Sequence, residues 1–315
     1  GKAKVTEYAI GVDSSKSQLE AFRLEDQAAQ QFENSPCGFR ALIKWLGKLP
    51  VARIVFEPTG PYHRAFEAAL GARFPLVKVN PLQARRFAEA SGTRAKTDAV
   101  DARGLARMGV ALDLHPQESV SENVNILRDL HVSRTSLIKE RTRLKNRAHT
   151  MTLALLKRQS KARLAQVEQQ IQELDGEIAA RIAQEAPKAR NRDILCSIPG
   201  LGVVTAAAVL TFLPEIGALD RKQVASLAGL APYSRQSGKW QGKSFIGGGR
   251  KPLRDALYMP ALVALRFNPD LNAKYAQLRA AGKPAKVAIV AIMRKLIETA
   301  NALVKEDRLW TPKST

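Results

Sequence analysis

Short apolar runs alternate with helical ones over the first 115 residues. Tyr8-Ala9-Ile10-Gly11-Val12 reads as a buried strand that ends in Asp13. A Ser-Ser-Lys-Ser turn follows, and Gln18 to Leu24 reads as the returning strand of a hairpin. A third short strand is expected near Gln31-Phe32-Glu33. From Gly38 to Leu46, Phe39, Leu42, Ile43 and Leu46 fall on one helical face. Arg53-Ile54-Val55-Phe56 is a buried-type strand ending at Glu57, where Pro58-Thr59-Gly60-Pro61 breaks the chain. Tyr62 to Arg73 is helical, Leu76 to Val79 a strand, and Pro81 to Ala90 and Asp98 to Met108 are helical. This order predicts a mixed α/β sheet domain rather than a bundle.

The pattern then changes. Val120 to Arg163 holds no glycine or proline and reads as one long helix. Leu164 to Ala186 reads as a second, with Val167, Ile171, Leu174 and Ile178 spaced for an antiparallel or coiled-coil pair, and Pro187 ends it. Beyond Ile198-Pro199-Gly200-Leu201-Gly202, helices are expected over Val203–Phe212, Val224–Gly229, Leu253–Leu265 and Ala285–Leu303, with a loop from Ala231 to Lys251. The Pro-Gly turn resembles a helix-hairpin-helix, and Pro-Gly equally marks any sharp turn.

Charge adds a partner. The chain of 315 residues carries 50 Lys and Arg against 29 Asp and Glu, a net +21, yet 45% of it is hydrophobic. A folded protein with so basic a surface points to a polyanion, and nucleic acid is the commonest one. No run of about 18 apolar residues predicts a membrane span. The first residues lack a hydrophobic signal core, so the cytoplasm is the expected compartment. Two cysteines are too few for a disulfide scaffold, and with four histidines they argue against a Cys/His metal site. Net charge rises from +5 over residues 1–115 and +5 over 116–190 to +11 over 191–315.

Against that excess, four acids stand out. Asp13 and Glu57 end strands, and Asp98 and Asp101 lie three apart on a helix, so that pair shares a face. Carboxylates gathered at one point repel unless a cation sits among them, and Mg²⁺ is the hard ion such oxygens suit. Singly, each would be an ordinary turn former or helix cap.

Ile10-Gly11-Val12-Asp13, Phe56-Glu57-Pro58-Thr59-Gly60-Pro61-Tyr62 and Lys96-Thr97-Asp98-Ala99-Val100-Asp101-Ala102-Arg103 resemble the three acidic motifs of the DEDD transposases. These belong to the bacterial insertion-sequence family one-hundred-and-ten, the bridge-RNA-guided recombinases. The resemblance implies that Asp13, Glu57, Asp98 and Asp101 are a catalytic, Mg²⁺-binding tetrad, with Mn²⁺ as an alternative metal. It implies an α/β plus α fold in three parts: an RNase H-like (RuvC-like) catalytic domain over 1–115, a long helical coiled-coil connector over 116–190, and a mainly helical C-terminal transposase domain with a catalytic serine over 191–315.

The C-terminal part carries the second resemblance. Ala228-Gly229-Leu230-Ala231-Pro232, Ser237-Gly238 and Gly248-Gly249-Arg250, followed by Leu253-Arg254-Asp255-Ala256-Leu257, are similar to that family's transposase domain. From Arg235 to Arg254 six bases and no acid occur, namely Arg235, Lys239, Lys243, Arg250, Lys251 and Arg254, which suits a scissile phosphate. Ser234, Ser237 and Ser244 are equal candidates as nucleophile on physical grounds. The resemblance selects Ser237. Gly242-Lys243-Ser244 looks like the tail of a P-loop, but Ser237 stands where its first glycine is required.

Between Arg128 and Arg163 eleven bases face two acids. Arg134, Arg141 and Lys145 fall near one helical stripe and Arg143 and Arg147 near a neighbouring one, a disposition suited to phosphate contacts. The resemblance implies donor and target DNA and a structured guide RNA as partners, with base pairing reading the sequence. It implies a covalent serine–DNA intermediate. Strand exchange needs at least two active sites, so a homodimer or homotetramer is expected, nucleoid-associated when active. Two other functions compete: a RuvC-like nuclease hydrolysing branched DNA, and a non-catalytic nucleic-acid-binding protein.

Overall fold

The computed structural model describes residues 7–58, 60–92, 98–116, 121–233, 236–237, 240–241 and 245–312, with 98–100, 236–237 and 240–241 described by backbone alone. Contacts divide the chain into two units, Gly1–Ser119 and Val120–Thr315.

In the first unit the elements run β1 (Tyr8–Ser14), β2 (Gln18–Arg23), β3 (Ala29–Glu33), α1 (Pro36–Leu46), β4 (Val51–Phe56), α2 (His63–Leu70), β5 (Leu76–Lys78), α3 (Pro81–Ala90) and α4 (Asp98–Ala111). The sheet order is β3-β2-β1-β4-β5. The hairpin strands β1, β2 and β3 pair antiparallel, whereas β4 lies parallel to β1 and β5 parallel to β4. Parallel neighbours require a crossover, and α1 and α2 provide it, packing with Ile10, Val12, Ile54 and Phe56 on one face of the sheet. Alternation along the strands turns Gly11 and Val55 to the opposite face, where Val55 packs with Leu105 and Met108 of α4, and Phe22 with Ala102 and Ala106. Ser35 caps α1, its hydroxyl accepting from the Gly38 amide, with Pro36 in the first turn.

The second unit is helical: α5 (Glu122–Ala148), α6 (Ala154–Ala183), α7 (Ala186–Ser197), α8 (Val203–Phe212), α9 (Arg221–Leu227), the two-residue strands β6 (Gln236–Ser237) and β7 (Trp240–Gln241), then α10 (Lys251–Phe267), α11 (Pro269–Ala280) and α12 (Ala285–Lys305). The run expected as one helix to Arg163 is broken at 149–153, without glycine or proline. At the break the Thr150 hydroxyl donates to the Arg147 carbonyl, and its amide bonds the same oxygen at 3.1 Å, closing the last turn of α5. Helices α5 and α6 therefore form an antiparallel hairpin, with Leu144, Val167 and Ile171 buried between them. At its base Leu127, Ile178 and Ile182 join the core shared by α7 to α12.

Helices α7 and α11 were not expected from the pattern. Each is entered through a proline in its first turn, a signal that reads equally as a stop for the preceding segment. Gly200 follows α7 at φ +104°, and a Cβ there would stand 2.8 Å from the Pro260 carbonyl and from Ala264 of α10. The Pro-Gly turn is thus a packing contact in which only glycine fits.

Candidate active site and nucleic-acid face

The acidic edge is built by backbone proximity. A Cβ on Gly11 would lie 1.8 Å from the Ala102 carbonyl oxygen and 2.7 Å from the Ala106 amide nitrogen, so β1 and α4 touch directly. Further along the helix, a Cβ on Gly109 would meet Val55 at 2.5 Å and Arg53 at 3.3 Å. Since Gly11 pairs with Val55 and Arg53 lies two residues earlier, α4 runs against β1 and β4. Its first turns, with Asp98 and Asp101, lie at the edge where β1 and β4 end. Arg53 fastens the other end by donating to the Gly109 carbonyl at 2.6 Å and pairing with Asp113 at 3.2 Å.

Asp13 and Glu57 follow Val12 and Phe56, which are in register, and alternation turns both acids toward the face α4 covers. Asp13, Glu57 and Asp101 are half-buried. Ser14 is buried and donates its hydroxyl to the Glu57 carbonyl at 3.4 Å, which ties the two strand ends together. Asp98 is described by backbone alone, one helical turn before Asp101. Among the described residues no three acidic, His or Cys side chains are grouped closely enough to hold a metal.

His63, near Glu57 in sequence, is buried beside Phe56 on the other side of the sheet. Burial and the neighbouring Lys78 ammonium hold it below its ordinary pKa, so it is neutral at pH 7. Glu67 joins the two, 3.7 Å from His63 and 2.8 Å from Lys78. This network supports the end of β4.

The region of Ser237, expected as a loop, is a β-hairpin. Tyr233 and Phe245 exchange backbone hydrogen bonds at 3.1 Å and their rings meet edge-on at 4.6 Å. Beyond them Gln236 pairs with Gln241 and Ser237 with Trp240, which sets Ser237 at the end of its strand. Glycines anchor the base: Gly229 and Gly249 both have positive φ, and a Cβ on Gly249 would lie 2.3 Å from the Gly229 amide nitrogen. Two of the expected phosphate ligands, Arg250 and Arg254, serve this base, and Lys251 is paired within α10. Arg250 makes a two-pronged pair with Glu215 at 2.7 Å and donates to the Phe212 carbonyl, holding the Glu215 carboxyl below the usual range. Arg254 donates to the Gly248 and Gly229 carbonyls, and Lys251 pairs with Asp255. Arg235, Lys239 and Lys243 lie outside the described residues.

Residues 10–174 match the family model of the IS110 DEDD transposases, described as a transposase, and residues 192–276 match a second described as Transposase IS116/IS110/IS902 family. The chain belongs to this transposase family. It is a DNA transposase or recombinase enzyme, and DNA is its substrate. It is 30% identical to the pilin gene-inverting protein of Moraxella bovis over 95% of this chain and 96% of that one. The protein of the same name from Moraxella lacunata is equally similar over the same shares. A protein of insertion element IS900 from Mycobacterium paratuberculosis is 30% identical over 48% of this chain and 40% of its own.

In the transposase the cations of the α5–α6 hairpin fall into two classes. Arg134 makes a two-pronged pair with Asp175, Lys145 pairs with Glu168 at 3.2 Å, and Arg163 with Glu140 at 2.7 Å, each from one helix to the other. Arg143 and Arg147 are exposed and, like the half-buried Arg141, make no ion pair among the described residues. No described helix is long and apolar enough to cross a membrane.

Proposed function

We propose that this transposase cuts and rejoins DNA strands at specific sites, with Ser237 as nucleophile and Asp13, Glu57, Asp98 and Asp101 as a Mg²⁺-binding tetrad, Mn²⁺ being the alternative metal. The carrying observation is the shared edge: the ends of β1 and β4 and the start of α4 come to one place, each bearing acids of the motif. The five-stranded order with an antiparallel hairpin beside parallel β4 and β5 supports an RNase H-like, RuvC-like domain over 1–115. The buried seam between α5 and α6 supports a coiled-coil connector over 116–190, leaving 191–315 as the serine-bearing transposase domain.

The donor set fits a hard divalent cation, because it offers carboxylate oxygens alone. Among the described residues no three acids form a seat, and in this reading Asp98 or a DNA phosphate completes it. When bound, the ion would offset negative charge on the reacting phosphate. The chain's own part is to hold four acids on a rigid sheet edge and present a serine near a hairpin turn. Attack of the Ser237 oxygen on phosphorus forms a serine phosphodiester and breaks the bond to one nucleoside oxygen, which leaves as a hydroxyl with the serine proton. Attack by a hydroxyl of the recipient strand reverses this and frees the serine, so no bond energy is lost to water. Two relatives named for inverting a gene favour this over hydrolysis, since inversion requires every cut strand to be rejoined. Guidance by a bridge RNA and action as a homodimer or homotetramer complete the proposal. It is consistent with the net charge of +21.

Trapping tests it. Denatured after reaction with a cognate DNA, wild type retains a covalent DNA adduct, Ser237→Ala retains none, and Asp13→Asn and Asp101→Asn reduce product at least 100-fold. An adduct surviving in Ser237→Ala would refute the serine, whichever acids prove essential.

A further inference from the structure

The division of cations on the α5–α6 hairpin reaches further than the charge total. Three helix-to-helix ion pairs commit Arg134, Lys145 and Arg163 to holding the hairpin closed. Lys139, Arg143 and Arg147 are exposed and have no ion pair among the described residues. They recur every fourth residue, about 6 Å apart along the axis, and so form one row on α5. The row borders a concavity of about 300 Å³ lined also by Ser136, Glu140 and Leu144. A second concavity of about 460 Å³ adjoins it across the Glu140–Arg163 pair and brings in Gln166 and Gln170 of α6. The two share Glu140 and Arg163 and make one face along the seam, with the Lys139, Arg143 and Arg147 row on the α5 bank and Arg163, Gln166 and Gln170 on the α6 bank. Aromatic rings do not line it, so the face has nothing on which a base would stack.

We propose that Lys139, Arg143 and Arg147 form a phosphate-backbone track along the α5–α6 seam, which grips a nucleic-acid strand without reading its sequence. This rests on the proposed function and deepens it. Lys139 joins the nucleic-acid contacts, while Arg134 and Lys145 leave them to become braces. An ammonium and two guanidiniums in a row suit consecutive phosphates, and the Gln amides can donate to phosphate or sugar oxygens. The chemistry is common to DNA and RNA.

The test measures binding of the full chain to a 30-base-pair DNA duplex and a 30-base-pair RNA duplex across a KCl series. Removing one phosphate-binding cation flattens the plot of log affinity against log salt by about 0.9 for B-DNA. The variant Lys139→Gln/Arg143→Gln/Arg147→Gln is expected to flatten it by about 2 to 3 on at least one of the two ligands while keeping wild-type helicity. The ligand affected identifies the strand held. Arg134→Gln/Lys145→Gln removes two cations that do not line this face, and is expected to lower the melting temperature and change the slope by less than about 1. Equal flattening by both variants, or none by the first on either ligand, overturns the track. Failure of wild type to bind either duplex would instead overturn the nucleic-acid reading beneath it.

Discussion

At the scale of residues, one missing methyl group fixes the acidic edge. Gly11 lets the Ala102 carbonyl approach to a distance at which a Cβ would stand 1.8 Å away, and the clash is with backbone, which has no rotamer to yield. Gly11→Ala should therefore push α4 off the sheet. We expect a loss of about 2–4 kcal/mol in urea unfolding, and a fall in recombination greater than the loss of folded protein. His131 gives a prediction in pH. It is buried against Phe212, with Nε2 lacking a partner among the described residues. Burial, then the Arg134 charge, lower its pKa from 6.5 to about 4. The unfolded chain therefore binds a proton between these values while the folded chain does not. Stability from this group is full above pH 6.5, falls as pH drops toward 4, and levels off below, by at most about 3 kcal/mol. In His131→Phe that part of the slope should vanish from unfolding curves taken from pH 7.5 to 4.

At the scale of elements, the serine hairpin depends on its base. Arg250 would be a phosphate ligand by its place in a basic segment, yet its fork is engaged by Glu215 and the Phe212 carbonyl. Arg250→Lys keeps the charge and loses the fork. Because both partners are partly exposed, we expect a stability cost of only about 1 kcal/mol, with DNA affinity retained and the rate of serine–DNA adduct formation reduced about tenfold. A loss of affinity with an unchanged rate would return Arg250 to the phosphate. Elements were legible in the sequence to unequal degrees. Strand and helix periods located β1 to β5 and α1 to α4, since most of them bury one apolar face, α3 only partly through Ala84 and Phe87. The hairpin at Ser237 was not legible, because strands of two residues carry no period. Nor was the break after α5, which carries neither the glycine nor the proline that ordinarily signals one.

At the scale of the whole molecule, the apolar cores respect the boundary near Ser119. Those of the sheet unit are drawn from residues 10–108, and the helical unit's main core from 127–303. Each unit thus has the means to unfold by itself. Guanidinium titration followed by far-ultraviolet circular dichroism and by tryptophan fluorescence should give non-coincident transitions. Trp45 reports the sheet unit, and Trp240 and Trp310 the helical one. Coincident transitions would mean that the units are thermodynamically coupled.

The residue order alone determined that the chain has a mixed sheet followed by helices, that acids end β1 and β4, that a polyanion is the partner, and which family it resembles. These follow from local periods, from composition and from contiguous motifs, each contained within a few neighbouring residues. Only the tertiary structure decided that the face of Gly11 and Val55 is the one α4 covers, and that α4 runs so as to bring its acids to the ends of those strands. It also decided which cations are committed, because Arg134 meets its carboxylate 41 residues away and Arg250 meets Glu215 at a separation of 35. A charge is read in the sequence one residue at a time, whereas its pairing depends on what the fold places within about 4 Å of it.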